Sequence, residues 1–303
     1  MAGLKELRNR LSSVKSTEKI TTAMKLVAAS RLRKAQAALE KNKSYVNLIE
    51  NTVARVLVSY KKEEIEKKIK HILPPIFMGK KNPKNYMLIV FSSERGLCGS
   101  YNQNVAKAAA KRIKELQKAE KNVRIVCYGK KAYDILKKNF GDLIIHHEAS
   151  FASGGIFYDE AIHMLIKIIE FTKESGIDVC EIVHSKFKTA VSREMVAMQV
   201  YPLKIEESAM DEQIDHVGDA YFDYKPSRED VLEKAAEKLL IGCVFRAMLS
   251  AEASEQGARM MAMDNATQNA KEMIKDLTLK YNTIRQSAIT TELNEIISGA
   301  EAI

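Results

Sequence analysis

The segment of this chain best placed for chemistry is Ser92-Ser93-Glu94-Arg95-Gly96-Leu97-Cys98-Gly99-Ser100-Tyr101-Asn102, which follows a strand-like run and precedes a helix-like one. A doubly wound α/β fold puts its phosphate loop at that place, with backbone N–H groups aimed at the anion. The spacing Gly96-x-x-Gly99 is neither G-x-G-x-x-G nor G-x-x-x-x-G-K-[ST], and no Lys closes it to meet a phosphate. A tight structural turn is the preferred reading, and Ser153-Gly154-Gly155 reads likewise as a loop before a helix. His146-His147-Glu148 is not H-E-x-x-H, because Phe151 stands four positions after His147. His71, His163, His184 and His216 have no ligand spacing, and no G-x-S-x-G elbow occurs. Cys98, Cys127, Cys180 and Cys243 form no C-x-x-C pair and read as buried, reduced thiols of a cytosolic protein. The common hydrolases and NTPases are disfavoured, and neither a metal nor another cofactor is expected.

The elements that hold these residues divide by proline. All five prolines, Pro74, Pro75, Pro83, Pro202 and Pro226, lie between positions 74 and 226, so both ends lack the strongest helix breaker. At the amino-terminal end Leu4, Leu7, Leu11 and Val14 step by three and four, the alternation of a coiled-coil seam. Ile20, Met24 and Val27 resume it after a polar gap, and Ala28, Leu32, Ala35, Leu39, Asn42, Val46, Ile49, Val53 and Val56 continue it one residue out of step. At the carboxyl-terminal end the seam runs unbroken from Leu232 through Leu239, Leu249, Met263, Ala270 and Leu277 to Ala288. Ser227 reads as its N-cap, with Glu229 and Asp230 in the first turn. At ~1.5 Å per residue, helices over residues 3–57 and from Ser227 to Ile297 would be about 80 and 105 Å long, too long for one globular domain.

Between them the period changes. Tyr86–Phe91, Val123–Tyr128 and Leu143–Ile145 read as strands, each followed by a helix, at about 103–119, 130–139 and 156–174. Such βαβ order predicts a mainly parallel sheet covered by helices. Val179–Val183 and Met195–Val200, joined by a short link, predict one antiparallel edge. The expected division is a helix at 1–60, an α/β domain at 61–226 and a helix at 227–303. The two long helices pair antiparallel, leaving Ile284, Ala288, Ile289, Leu293, Ile296, Ile297 and Ile303 as an apolar tip. Such a tip marks an interaction site or else folds back on the domain.

Charge follows the same division. The chain's net charge of +9 resolves into a surplus of ten positive charges over residues 1–70 and a deficit of three over 227–303. A basic helix serves phosphate backbones or acidic protein loops equally, but Tyr45 and Tyr60 are its only aromatics, so no base-stacking platform accompanies it. The amino-terminal residues have no apolar signal-like run, and charges interrupt every stretch before the ~20 apolar residues of a membrane span. Small residues are dense on both helices, among them Ala28, Ala29 and Ser30 on the first and Ala253, Ser254, Gly257 and Ala258 on the last, which suits a slim rod turning inside a sleeve.

Lys19-Ile20-Thr21-Thr22-Ala23-Met24-Lys25-Leu26-Val27-Ala28-Ala29-Ser30-Arg31-Leu32-Arg33-Lys34-Ala35-Gln36 closely resembles the amino-terminal helix signature of the gamma subunits of F-type ATP synthases. The likeness continues at Ser93–Gly99, at Ser254–Thr267 with its specific Met263-Asp264-Asn265-Ala266-Thr267 run, and at Tyr281-Asn282, Arg285-Gln286 and Gly299-Ala300. Glu94 stands where that family often has Asp, and Ser100 where it often has Gly.

The resemblance implies a noncatalytic rotor shaft. Its helix pair would stand in the bore of a hexamer of alpha and beta subunits, and its α/β domain would meet the epsilon subunit and the c-ring. It implies a peripheral protein on the cytoplasmic side of a bacterial inner membrane. Met24, Lys25, Arg31, Arg33 and Lys34 match the part of the family's helix that passes acidic loops of the beta subunits. Arg259, Arg285, Gln286 and Glu292 match polar positions higher in the bore. Other classes compete with this expectation, namely a nucleotide-binding α/β enzyme with coiled-coil arms and a basic nucleic-acid binder. ATP affinity of the isolated chain, or a salt-sensitive DNA complex, would separate them.

Overall fold

The structure, a computed structural model, describes residues 2–67, 75–149, 156–174, 176–205 and 223–301. Ser153-Gly154-Gly155, His71, His216 and Ile303 lie outside them, as does the side chain of Glu292. The chain forms two compact units, Met1–Ser30 with Arg259–Ile303, and Arg31–Ala258.

The larger unit is built on five strands. β1 (Asn85–Phe91) is a run of bulky apolar residues with both faces covered, as a central parallel strand requires. β2 (Asn122–Tyr128) and β4 (Val179–Phe187) flank it in parallel, β3 (Ile144–Glu148) extends beyond β2, and β5 (Arg193–Tyr201) closes the sheet antiparallel to β4, giving the order β3-β2-β1-β4-β5. The parallel sheet and its antiparallel edge follow the sequence pattern. Leu143 differs, because it ends a short 3-10 turn ahead of β3.

Three connecting helices, α2 (Tyr101–Lys118), α3 (Lys130–Phe140) and α4 (Tyr158–Glu174), cover the faces. Leu88 and Val90 of β1 share a core with α2 and α3, through Val105, Ile113 and Leu136. Met87, Ile89 and Phe91 point the other way, into a core made with α4 and the long terminal helices, where Val46, Val53, Leu232, Leu239 and Met248 are fully buried. Arg112 of α2 reaches Glu181 of β4 through two hydrogen bonds of 2.8 and 2.6 Å, so that buried carboxylate is paired.

The terminal helices are α1 (Ala2–Lys67) and α5 (Arg228–Glu301). Ser227 caps α5 as its sequence suggests, its hydroxyl accepting from the Asp230 N–H at 3.1 Å. In each unit the helices run antiparallel. Tyr60 donates to Glu229 at 2.9 Å in the larger unit; in the smaller, Lys25 bonds Asp264 at 2.6 Å and Thr267 bonds Thr21 at 2.8 Å.

The seam of α1 differs from the one its apolar spacing suggests. The seam of α1 does not pass through Ile20 and Val27, which are 60% and 55% exposed. It passes through half-buried Glu18, buried Thr21, half-buried Lys25 and buried Ala28, which keep the alternation of three and four from Leu4 to Tyr60 without the inferred shift. Apolar spacing does not mark the seam here because this stretch of it is polar. Thr21 and Lys25 are satisfied by Thr267 and Asp264 across the pair.

Candidate functional site

The strand order reverses at β1, so the crevice between the carboxyl ends of β1 and β4 is where an open α/β sheet binds a ligand. This chain fills it with its own helix. The Ser250 hydroxyl of α5 accepts from the Phe187 N–H at 2.7 Å and donates to the Ser185 carbonyl at 3.3 Å. Ser254 donates to the same carbonyl at 3.1 Å, Tyr101 donates to the Ala251 carbonyl at 3.2 Å, and Arg193 donates to the Ser254 carbonyl at 3.3 Å. Gly257 lies so close to the β4–β5 hairpin that an added Cβ would stand 3.2 Å from the Ala190 carbonyl oxygen.

The turn after β1 is likewise occupied with itself. Ser93 donates to the Arg95 carbonyl at 2.6 Å, and its backbone N–H bonds the Asn102 side chain at 3.1 Å. Leu97 and Gly99 take φ of 63° and 57°, which turns the chain sharply into α2. The preferred structural reading of this turn fits its geometry. Among the described residues no cluster of His, Cys, Asp or Glu is arranged to hold a metal ion. Cys98, Cys127 and Cys180 are buried free thiols, and Cys243 is half-buried.

The residues singled out for partner contact fall into separate groups. In the larger unit Leu32 and Ala35 of α1 point inward, which leaves Arg31, Arg33 and Lys34 together on the exposed arc. Arg31 also acts on Glu252 of α5. Burial pushes that carboxyl up to about 7, with Glu255 and Glu160 adding repulsion and Arg31 opposing them.

In the smaller unit Met24 is half-buried, and Lys25 is held in the ion pair with Asp264, so part of the surplus charge is answered within the helix pair. Arg259 is half-buried, while Arg285 and Gln286 are exposed. About 20 residues of helix, or ~30 Å at 1.5 Å per residue, separate these last two from Asp264.

Apolar side chains are exposed in two places on the smaller unit. Along α5, Ile284, Ile289, Leu293, Ile296 and Ile297 are all exposed, Ile296 by 72%. Along α1, Ile20, Leu26 and Val27 form an outward patch beside Met24. Sequence reasoning found the first group and missed the second, because it assigned Ile20 and Val27 to the seam. The signal that would have found it is the unbroken three-four spacing through Glu18, Thr21 and Lys25.

Comparison with known proteins gives a consistent answer. The sequence model of the ATP synthase family matches residues 3–303. The ATP synthase gamma chain of Rhizobium etli is 39% identical over 303 residues, covering 100% of both chains. That of Paramagnetospirillum magneticum is 38% identical with the same coverage. Among solved structures, a chain of the Tetrahymena thermophila mitochondrial ATP synthase central stalk and c-ring shares the fold with TM-score 0.57 and 23% identity, over 82% of this chain and 99% of that one. A chain of the Euglena gracilis mitochondrial ATP synthase does so with TM-score 0.53 and 20% identity, over 90% and 95%.

Proposed function

The chain belongs to the ATP synthase gamma family, and from that premise we propose that it is the noncatalytic shaft that carries torque between a c-ring and catalytic beta subunits. The observation that carries this reading is the exposed apolar length of α5 from Ile284 to Ile297, which has no reason to face water unless a partner covers it. A sleeve at the top of an alpha–beta hexamer would cover it by weak, nonspecific packing that supports the shaft without locking it. Arg31, Arg33 and Lys34 would meet acidic loops of the beta subunits, with Met24 and Lys25 beside the same collar. Arg285, Gln286 and Glu292 would contact the hexamer higher in the bore, while Arg259, five residues before the Asp264 that pairs with Lys25, would do so at the level of the collar. Residues 61–226 would form the body that meets the epsilon subunit and the c-ring.

In physical terms the shaft is an effector. Its orientation sets which conformation of each catalytic site is favoured, so it must contact those conformations unequally. No helix among the described residues is long and apolar enough to cross a membrane, which supports peripheral attachment through the complex. The cytoplasmic face of a bacterial inner membrane is the proposed place. The competing nucleotide-binding reading is disfavoured by the crevice, which Ser250 and Ser254 of α5 occupy.

The test is reconstitution with alpha and beta subunits, following a bead fixed to the α/β body during ATP hydrolysis. Stepwise rotation is expected. Failure to assemble, or assembly without rotation, would sink the proposal.

A further inference from the structure

The carboxyl ends of the strands are filled, whereas the described residues leave space at the amino ends. A cavity of about 590 Å³ lies there, lined by Asn85, Gln117, Lys121, Asn122 and Arg124 around Val123. Among the described residues no carboxylate lines it. Three other cations of this unit are closed on acids, Arg112 on Glu181, Lys80 on Asp178 and Lys167 on Glu148, each at 2.6 Å. Among the described residues Lys121 and Arg124 make no such pair.

Lys121 is not needed to cap α2 either. The last carbonyls of that helix already accept backbone N–H groups from Ala119, Glu120 and Lys121. Glu120 takes φ of 55°, which turns the chain back so that Lys121, Asn122 and Arg124 follow in sequence along the cavity wall. The two asparagines are oriented. Asn122 donates to the Asn85 side-chain oxygen at 2.9 Å and Asn85 to the Gly176 carbonyl at 3.0 Å, and each amide keeps a second hydrogen to donate. Two cations with no acid against them among the described residues, beside fixed amide donors, match a tetrahedral oxyanion.

We propose that this cavity binds a phosphate-class anion, with Lys121 and Arg124 as its cationic ligands and the Asn85, Asn122 and Gln117 amides as neutral donors. The phosphate can belong to a free ester or to the headgroup of an anionic lipid, and the proposal stands independently of the rotor reading.

The full chain is titrated with inorganic phosphate by calorimetry, and floated with phosphatidylcholine vesicles that do or do not contain phosphatidylglycerol. Heat with phosphate assigns a free ester; flotation only on phosphatidylglycerol assigns the headgroup. In either arm K121Q/R124Q weakens binding by roughly tenfold, while the charge-matched K137Q/K138Q on α3 changes it less than about twofold. Should the first double variant not fold, K121Q alone is expected to lose roughly threefold. Absence of binding to both probes, equal loss in the two double variants, or an unchanged K121Q overturns the site.

Discussion

The same two helices pair in both units, yet they bury different things. In the larger unit α1 and α5 lie on a sheet, and their shared core holds Val46, Val53, Leu232, Leu239 and Met248 almost free of water. In the smaller unit the pair buries Thr21, Ala28, Met263, Thr267 and Ala270, while Leu4, Leu7, Leu11 and Val14 are only half-buried. A two-helix seam has only two walls, so most large side chains stay partly wet, Met263 and Leu277 being the buried exceptions, and small or mutually satisfied polar residues pack best there. A third layer lets bulky residues disappear. One unit therefore holds the stability, and the other presents surface.

The largest test of that contrast is truncation. Leu239→Ala is expected to lower stability by about 2–5 kcal/mol in urea unfolding, whereas Met263→Ala costs about 1 kcal/mol because two helices can close over the gap. Equal costs would give the smaller unit a core of its own.

Acidity sharpens the comparison next. The Glu252 carboxyl has its folded value near 7, above the ordinary 4.5, so the folded state holds more protons between those values. Stability is then greatest below about pH 4.5 and falls as pH rises through 7. Glu252→Gln should remove that slope, stabilising the chain by up to about 3 kcal/mol at pH 8 and by little at pH 4.5. A pH-independent gain would mean that the site is wetter than its burial implies.

Close approach comes third. A Cβ on Gly242 would meet Val46 Cγ2 at 2.8 Å, so Gly242→Ala sets overpacking of about 1–3 kcal/mol against a helix-propensity gain near 1 kcal/mol. A net loss of about 1 kcal/mol is expected in thermal melting, and a gain would show slack in the larger core. The smallest effect is the Lys25–Asp264 pair, whose side chains are 39% and 32% exposed. A double-mutant cycle should give about 0.2–1 kcal/mol, shrinking with added salt.

Much of this was legible in the sequence, for identifiable reasons. Strands with two buried faces, such as Met87–Phe91, write themselves as apolar runs, and the α5 seam could be followed residue by residue. What stayed hidden is where polar residues are buried by a distant partner. β4 reads as ending at Val183, because His184, Ser185 and Lys186 look like the start of a loop. It continues to Phe187, since α5 supplies hydroxyls to the Ser185 carbonyl and the Phe187 N–H, and burial holds His184 down near 4, so it enters the core neutral. The same blindness to partnered polar groups displaced the α1 seam from Thr21 and Lys25. In the candidate surface the basic arc and the apolar end of α5 were legible as charge and hydropathy. The patch of Ile20, Leu26 and Val27 was not, because exposure depends on which face the opposite helix covers.

Ser250, Ser254 and Gly257 recur at four and three residues, so they share one side of α5, pressed into the strand ends and hairpin. A hub packed on an axle by smooth hydrocarbon alone could slip, since a rotated helix finds new contacts of similar worth. Directional bonds behave as a key in its keyway. With the hydroxyls of these short side chains about 5 Å from the helix axis, turning α5 by some 20° would carry them about 2 Å, enough to break the bonds they make. The crevice that other α/β folds reserve for a ligand has become a spline.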